Sequence, residues 1–157
     1  VEELMKKGAL IDAFGVGTAM GVSKDVPYCD VVYKLVELSN KNKHLPTMKL
    51  SKGKVTFPGK KQVYRFNDKN GNYVKDVLAL RDERIYGQKL LVKVMEKGKI
   101  VYKMPSLEEI RKTTKNNLKK LPDKYKKLKN AAKYKVKISP ELKKLTLKLN
   151  KSLQQKV

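Results

Sequence analysis

The chain has 157 residues, 40% of them apolar, and carries 38 basic side chains against 15 acidic ones, a formal net charge of +23. The apolar share is enough to bury a core, which excludes wholesale disorder; the length suits one domain or two small pieces, and no apolar run approaches the roughly 20 residues that cross a bilayer. A single cysteine, Cys29, and a single histidine, His44, exclude an intrachain disulfide and leave too few ligands for a zinc centre, which takes about four.

In chain order, Glu2 to Lys7 reads as the end of a helix stopped by Gly8. Ala9 to Phe14 is a short apolar run suited to a buried strand, with Asp12 at an exposed end or beside a partner. Gly15-Val16-Gly17-Thr18 is a turn. Helix, short strand and Gly turn together look like one step of a parallel barrel or sheet. After Pro27 the pattern changes. Val31 to Leu38 alternates as a strand of a half-exposed sheet. Ser39 to His44 reads as a polar loop, Met48-Lys49-Leu50 as a short strand, and Ser51 to Lys61 as a Gly/Lys-rich loop with a Pro58-Gly59 turn. Gln62 to Phe66 and Tyr73 to Leu80 flank Asn70-Gly71, a strong hairpin signal. Leu90 to Met95 and Lys99 to Tyr102 flank a second turn at Lys97-Gly98, so residues 28–103 read as an antiparallel layer of meanders.

Ser106, with Glu109 three residues on, forms a capping box. The helix it opens carries Leu107, Ile110, Thr114, Leu118 and Leu121 on one face and ends at Pro122. Ser139, Pro140 and Glu141 open a last helix. Its stripe of Leu142, Leu145, Leu149 and Leu153 reads as a docking face, since a helix lying on a membrane surface would carry aromatics. The expected fold class is α+β, in three parts. Residues 1–26 form a last αβ-barrel unit with a phosphate-binding turn, 27–104 an antiparallel sheet domain, and 105–157 C-terminal basic helices. One helix–strand unit cannot close a barrel, and Val1 stands where an intact reading frame has Met. The chain therefore reads as an incomplete piece of a larger fold.

The charge is concentrated late: residues 112–157 hold sixteen lysines against Asp123 and Glu141. Such an imbalance points to a polyanionic partner. Only Arg65, Arg81, Arg84 and Arg111 are arginines, however, and base-reading proteins lean on Arg. No aromatic-basic interleaving marks a stacking platform, so the lysine tail is expected to be a solvated helix face. His44, in a polar lysine-rich loop, is a poor candidate for a Ser-His-Asp triad.

Two features could carry chemistry. Gly15-Val16-Gly17-Thr18 offers backbone amides that an anion can approach closely, and Thr18 adds a hydroxyl; a tight turn needing positive φ explains the same residues equally well. Lys24, Lys34, Lys49, Lys54, Lys60 and Lys61 could gather around a phosphorylated ligand, with residues 52–61 folding over it. On composition alone a solvated surface loop is the simpler reading.

Four ordered blocks add a resemblance. The first is Ile11-Asp12-Ala13-Phe14-Gly15-Val16-Gly17-Thr18. The second is Ser23-Lys24-Asp25 with Tyr33-Lys34-Leu35-Val36-Glu37. The third is Gly53-Lys54-Val55-Thr56 with Pro58-Gly59-Lys60-Lys61-Gln62-Val63-Tyr64-Arg65. The fourth is Leu90-Leu91-Val92-Lys93-Val94-Met95, Gly98-Lys99 and Pro105-Ser106-Leu107-Glu108-Glu109-Ile110-Arg111. Together they resemble the C-terminal part of nicotinate phosphoribosyltransferases.

The resemblance implies a type II phosphoribosyltransferase-like fold, an irregular αβ barrel packed on a sheet domain, usually dimeric. It implies transfer of a phosphoribosyl group from phosphoribosyl pyrophosphate to nicotinate, giving nicotinate mononucleotide and pyrophosphate in NAD biosynthesis. Magnesium is used, and ATP hydrolysis is coupled through a phosphorylated histidine. Carried over by residue, Gly15, Gly17 and Thr18 would hold the ribose 5′-phosphate. Lys24 would stand near phosphates, reaching across a dimer, and Lys60 and Lys61 would do likewise. His44 matches no motif of the family, and the nicotinate pocket and magnesium carboxylates lie upstream. No catalytic residue and no metal ligand is therefore expected here, and the chain alone is expected to be inactive. Its expected partners are the two substrates, the N-terminal part of the enzyme and a second copy, in the cytoplasm, with no membrane and no nucleic acid.

Two competing readings stand beside this one. The chain could be a non-catalytic basic domain that binds nucleic acid or another polyanion. It could also be a regulatory or assembly module that keeps the family fold and docks on the intact enzyme through its Leu stripe.

Overall fold

The computed structural model describes residues 1–24, 27–28, 32–40, 43–51 and 53–154. Expectations touching Asp25, Cys29, Val31, Lys52 and Lys156 fall outside the described residues. The chain divides into two compact units, Val1–Tyr33 and Lys34–Val157.

The first unit opens with α1 (Glu2–Lys6), whose acidic first turn and basic last turn complement the helix dipole. Gly8, at φ 71°, stops it as its sequence implies. The run Ala9 to Phe14, expected to be a buried strand, is not one. A strand exists only through a hydrogen-bonded neighbour, and among the described residues none pairs with this segment. Instead the Ile11 amide donates to the Ala9 carbonyl at 3.0 Å, and Leu10 is fully exposed. A single helical turn, α2 (Thr18–Gly21), follows.

In the second unit, β1 (Glu37–Asn40) and β2 (Lys43–Pro46) make an antiparallel hairpin with Leu38 opposite Leu45. The segment expected to be a loop, Ser39 to His44, thus contributes residues to both strands. Its polar side chains bond across the hairpin, with Ser39 Oγ 2.8 Å from His44 Nδ1. Met48-Lys49-Leu50, expected as a strand, is irregular chain. It is held by the Lys49 amide donating to Thr56 Oγ1 at 3.0 Å and by burial of Met48.

The centre of this unit is β3 (Lys61–Asn67) paired antiparallel with β4 (Tyr73–Leu80), as the alternation and Asn70-Gly71 imply. The turn is fixed by Asp68 Oδ1, which accepts from the Asn70 and Asn72 amides at 2.9 Å each, and by Gly71 at φ 81°. A short β5 (Gln88–Lys89) lines the far side of β3. The second predicted hairpin is present but shorter, β6 (Met95–Glu96) with β7 (Lys99–Ile100), turning through Lys97 and Gly98 at φ 49° and 76°. These two positive φ values in succession suit the right-handed twist of a ribbon.

The capping box forms as read. The Glu109 amide donates to Ser106 Oγ at 3.3 Å, and the Ser106 amide donates to Glu109 Oε2 at 2.6 Å, opening α3 (Leu107–Lys120). One correction concerns the sheet. β8 (Val136–Ile138) lies parallel to β4, so the four-stranded sheet has the order β5-β3-β4-β8 and is mixed rather than antiparallel. Without β8 the outer edge of β4 would present unpaired amides and carbonyls; the Asp76 amide instead donates to the Lys135 carbonyl at 3.0 Å and the Ser139 amide to the Leu78 carbonyl at 2.9 Å. The C-terminal part is therefore not helical alone.

Ser139 then turns the chain into α4 (Pro140–Gln154), its Oγ accepting from the Leu142 amide at 3.2 Å. Leu142 is fully buried, together with Tyr64 and Ala79, and α4 packs on β4. One polar knot is set into the sheet. Arg65 and Asp76 stand opposite each other, with Nε to Oδ1 at 2.9 Å and Nη2 to Oδ2 at 2.8 Å.

Leu142→Ala should lower the unfolding free energy by about 2–5 kcal/mol, the usual range for emptying a buried leucine site. Urea denaturation checks this, and Leu147→Ala on the exposed side of α4 should leave the midpoint nearly unchanged.

Candidate functional site

The predicted phosphate residues fall in both units: Gly15, Gly17, Thr18 and Lys24 in the first, Lys60 and Lys61 in the second. Neither Gly15 nor Gly17 has a positive φ. No heavy atom among the described residues lies within 4 Å of the place a Cβ would take at either. Neither backbone conformation nor internal packing therefore asks for glycine here. The amides of Gly15, Gly17 and Thr18 donate to no group among the described residues, while the carbonyls of Gly17 and Thr18 accept from the Gly21 and Val22 amides at 3.2 and 2.9 Å. Lys24 closes the turn after α2, its amide donating to the Ala19 carbonyl at 2.8 Å. The result is a short exposed stretch with three open donors and a hydroxyl.

Lys60 and Lys61 flank the start of β3 and have different surroundings. Lys60 Nζ lies 3.1 Å from Glu37 Oε1. Lys61 Nζ turns back to donate to the Phe57 and Gly59 carbonyls at 2.7 and 2.6 Å. Burial pushes the Lys61 ammonium below its ordinary value, with the Glu37 charge acting the other way. Glu37 is the hub: its Oε1 also stands 3.0 Å from His44 Nδ1 and accepts from Ser39 Oγ at 3.3 Å. The hydrogen bond from Lys60 is the largest cause holding the Glu37 carboxyl below the usual carboxylate range; partial burial opposes it and His44 assists it. Lys49 and Lys54 stay on the exposed surface.

Beside this cluster is a cavity of about 390 Å³ whose walls include Glu37, Lys60, Leu80, Asp82, Glu141 and Leu145. Gly59 lines it at φ +76°, a conformation that favours glycine, and a Cβ there would stand 3.1 Å from Leu80 Cδ2, a tight contact that the leucine would have to ease. Glu83 braces the cavity, its Oε1 accepting from the Leu80 amide at 2.7 Å and from Ser139 Oγ at 2.6 Å. Sequence reasoning missed Glu37 and Glu83. Each has a near partner, Ser39 for Glu37 and Leu80 for Glu83, but the contacts that tie them to the rest of the unit, with Lys60 and Ser139, are remote in the chain and no local spacing marks them.

Among the described residues no three His, Cys, Asp or Glu side chains gather to hold a metal ion. No helix among them is long and apolar enough to cross a membrane.

Residues 85–146 match the family profile of the nicotinate phosphoribosyltransferase C-terminal domain. The nicotinate phosphoribosyltransferase of Bacillus subtilis is 32% identical over 167 aligned residues, which cover 90% of this chain and 34% of that protein. Nicotinate phosphoribosyltransferase pncB2 of Mycobacterium tuberculosis is 36% identical over 113 residues, 71% of this chain and 23% of its own length. The crystal structure of human nicotinic acid phosphoribosyltransferase superposes with a TM-score of 0.57 at 24% identity, over 60% of this chain and 24% of that one; the likeness establishes a shared mixed α/β fold. The chain thus spans about a third of the length of the Bacillus relative and less of the others.

Because the folded-state pKa of Glu37 is depressed, the stability it contributes is complete above the ordinary glutamate range, near pH 4.3, and is lost as pH falls through the lower folded value. Glu37→Gln should therefore flatten the decline in stability below that pH, read as thermal midpoints across an acid series. An unchanged acid slope would show that the ion pair does not form.

Proposed function

We propose that this chain is the C-terminal part of a nicotinate phosphoribosyltransferase and supplies part of the phosphate grip of an enzyme making nicotinate mononucleotide. The observation that carries the reading is the match to the Bacillus relative, which covers 90% of the chain at 32% identity. In this reading residues 1–26 are the end of an αβ barrel, 27–104 a sheet domain and 105–157 the C-terminal region. The barrel strand at Ala9 to Phe14 would form only against strands supplied from elsewhere in the enzyme. The open amides of Gly15, Gly17 and Thr18 suit a phosphate monoester, whose oxygens accept from backbone donors and a hydroxyl.

Lys24, just after the glycine turn, would add positive charge to a phosphate held there, and Lys60 and Lys61 in the second unit would each offer an ammonium to a phosphate or to the leaving pyrophosphate, stabilising the charge that develops as the ribose–pyrophosphate bond breaks. Lys60 would exchange Glu37 for such an anion. Magnesium and ATP enter as the family's cofactors, and the pyridine pocket, the phosphorylated histidine and the magnesium ligands belong to regions of the relatives that this chain does not span. No residue here is assigned to hold either cofactor. A homodimer in the cytoplasm completes the proposal; the single cysteine suits a reducing compartment.

Amide NMR of the chain titrated with phosphoribosyl pyrophosphate and magnesium tests the reading. Saturable shifts should centre on Gly15, Gly17 and Thr18, and Gly17→Val should weaken binding by about tenfold or more (~1.4 kcal/mol) by placing a side chain over the donors. Shifts spread over Lys112 to Lys151, equal for any polyanion and abolished by salt, would instead favour a general basic domain.

A further inference from the structure

A second site stands on α3, away from every residue assigned above. Two cavities adjoin there. The first, of about 290 Å³, is lined by Arg65, Tyr73, Asn117, Leu118, Leu121 and Tyr134. The second, of about 520 Å³, shares Leu118 and Leu121 and adds Lys115, Lys119, Tyr125 and Lys126. Between them Tyr125 and Tyr134 meet edge to face, ring centroids 5.2 Å apart. Leu118 and Leu121 line both cavities, so the two lie side by side on α3 with an aromatic contact between them, as two ends of one surface that differ in chemistry.

At the first end the donor inventory is telling. Tyr73 Oη donates to Asn117 Oδ1 at 2.7 Å and Tyr134 Oη to Asp76 Oδ1 at 3.2 Å, so both phenol protons are used internally. Arg65 spends Nε and Nη2 on Asp76. The Asn117 amide nitrogen makes no hydrogen bond among the described residues, and no buried side-chain nitrogen or oxygen is left unpaired there; it therefore keeps a route to solvent. A flat ring with acceptor atoms on its edge fits this end, between aromatic and leucine walls.

At the second end Lys115 and Lys119, one helical turn apart, have no ion pair among the described residues, and Lys126 pairs with Asp123 at 2.7 Å. Four cations, Arg65, Lys115, Lys119 and Lys126, face two carboxylates, Asp76 and Asp123. The surplus of two suits a phosphate dianion. A bare polyanion has no use for the tyrosines, and a bare ring has no use for the lysines.

We propose that these adjoining cavities bind a nucleoside phosphate, base against Tyr134, Leu118 and Asn117, phosphate on Lys115 and Lys119. The site goes beyond the phosphoribosyl reading and does not depend on it. The test is NMR of the full chain with AMP, GMP, UMP and pyrophosphate as separate probes, following the Asn117 side-chain amide and the Tyr134 ring. At least one mononucleotide should give saturable shifts there, binding about tenfold tighter than pyrophosphate, and the exposed-lysine variant K115Q/K119Q should weaken it by about tenfold or more. Asn117→Ala should weaken the mononucleotide while leaving pyrophosphate unchanged. Equal binding of pyrophosphate and mononucleotides, or no saturable shift at Asn117 and Tyr134, overturns the proposal.

Discussion

The second unit depends on one cross-strand pair. Arg65 on β3 and Asp76 on β4 are opposite each other and bonded twice, at 2.9 and 2.8 Å, with side chains only 23% and 10% exposed. The carboxylate holds the guanidinium charged well beyond its usual range despite partial burial. Losing one partner of such a pair typically costs about 3–5 kcal/mol, because the other charge stays behind without compensation. Each half recruits another element. Arg65 sits 4.4 Å over the Tyr73 ring, and Tyr73 Oη donates to Asn117 on α3. Asp76 accepts from Tyr134, which precedes β8. The Tyr134 phenol is pushed up first by burial and then by the Asp76 charge, which keeps its proton as a donor. Hairpin, α3 and returning strand are thus tied at one point.

From this knot the chain's two basic regions differ in character. Lys60 and Lys61 are placed by short contacts, one on Glu37 and one on the carbonyls before β3. Most lysines of α3 and α4 are exposed and need no ligand to explain them, since a solvated face holds them at little cost. What distinguishes Lys115 and Lys119 is their neighbourhood: they line a cavity with Tyr125, Leu118 and Leu121, and the two leucines also line the cavity beside Tyr73 and Tyr134.

What could be read from the sequence was local. Ser106 with Glu109, Asn70-Gly71, and Ser139 with Pro140 each specify their geometry within a few residues, and each forms as read. The strand expected at Ala9 to Phe14 failed because apolarity marks a segment that would bury itself, whereas pairing depends on a neighbour. β8 was missed for the converse reason: Val136-Lys137-Ile138 is three residues long with Val136 exposed, and only the open edge of β4 makes it a strand. At the candidate site, Gly15 and Gly17 could be singled out because bare backbone is visible in sequence. The Glu37–Lys60 pair and the Tyr73–Asn117 and Tyr134–Asp76 bonds could not, because they join residues far apart in the chain.

Reconstitution tests most directly the proposed role of this chain as the C-terminal part of a nicotinate phosphoribosyltransferase. The Bacillus subtilis relative, truncated to the region this chain does not match, is co-expressed with this chain, and nicotinate mononucleotide formation is assayed beside a control in which the relative's own C-terminal segment is supplied instead. Product is expected with both pairs and none with either half alone. Product from the control pair, with none from the pair containing this chain even though the two co-purify, would overturn the proposed role.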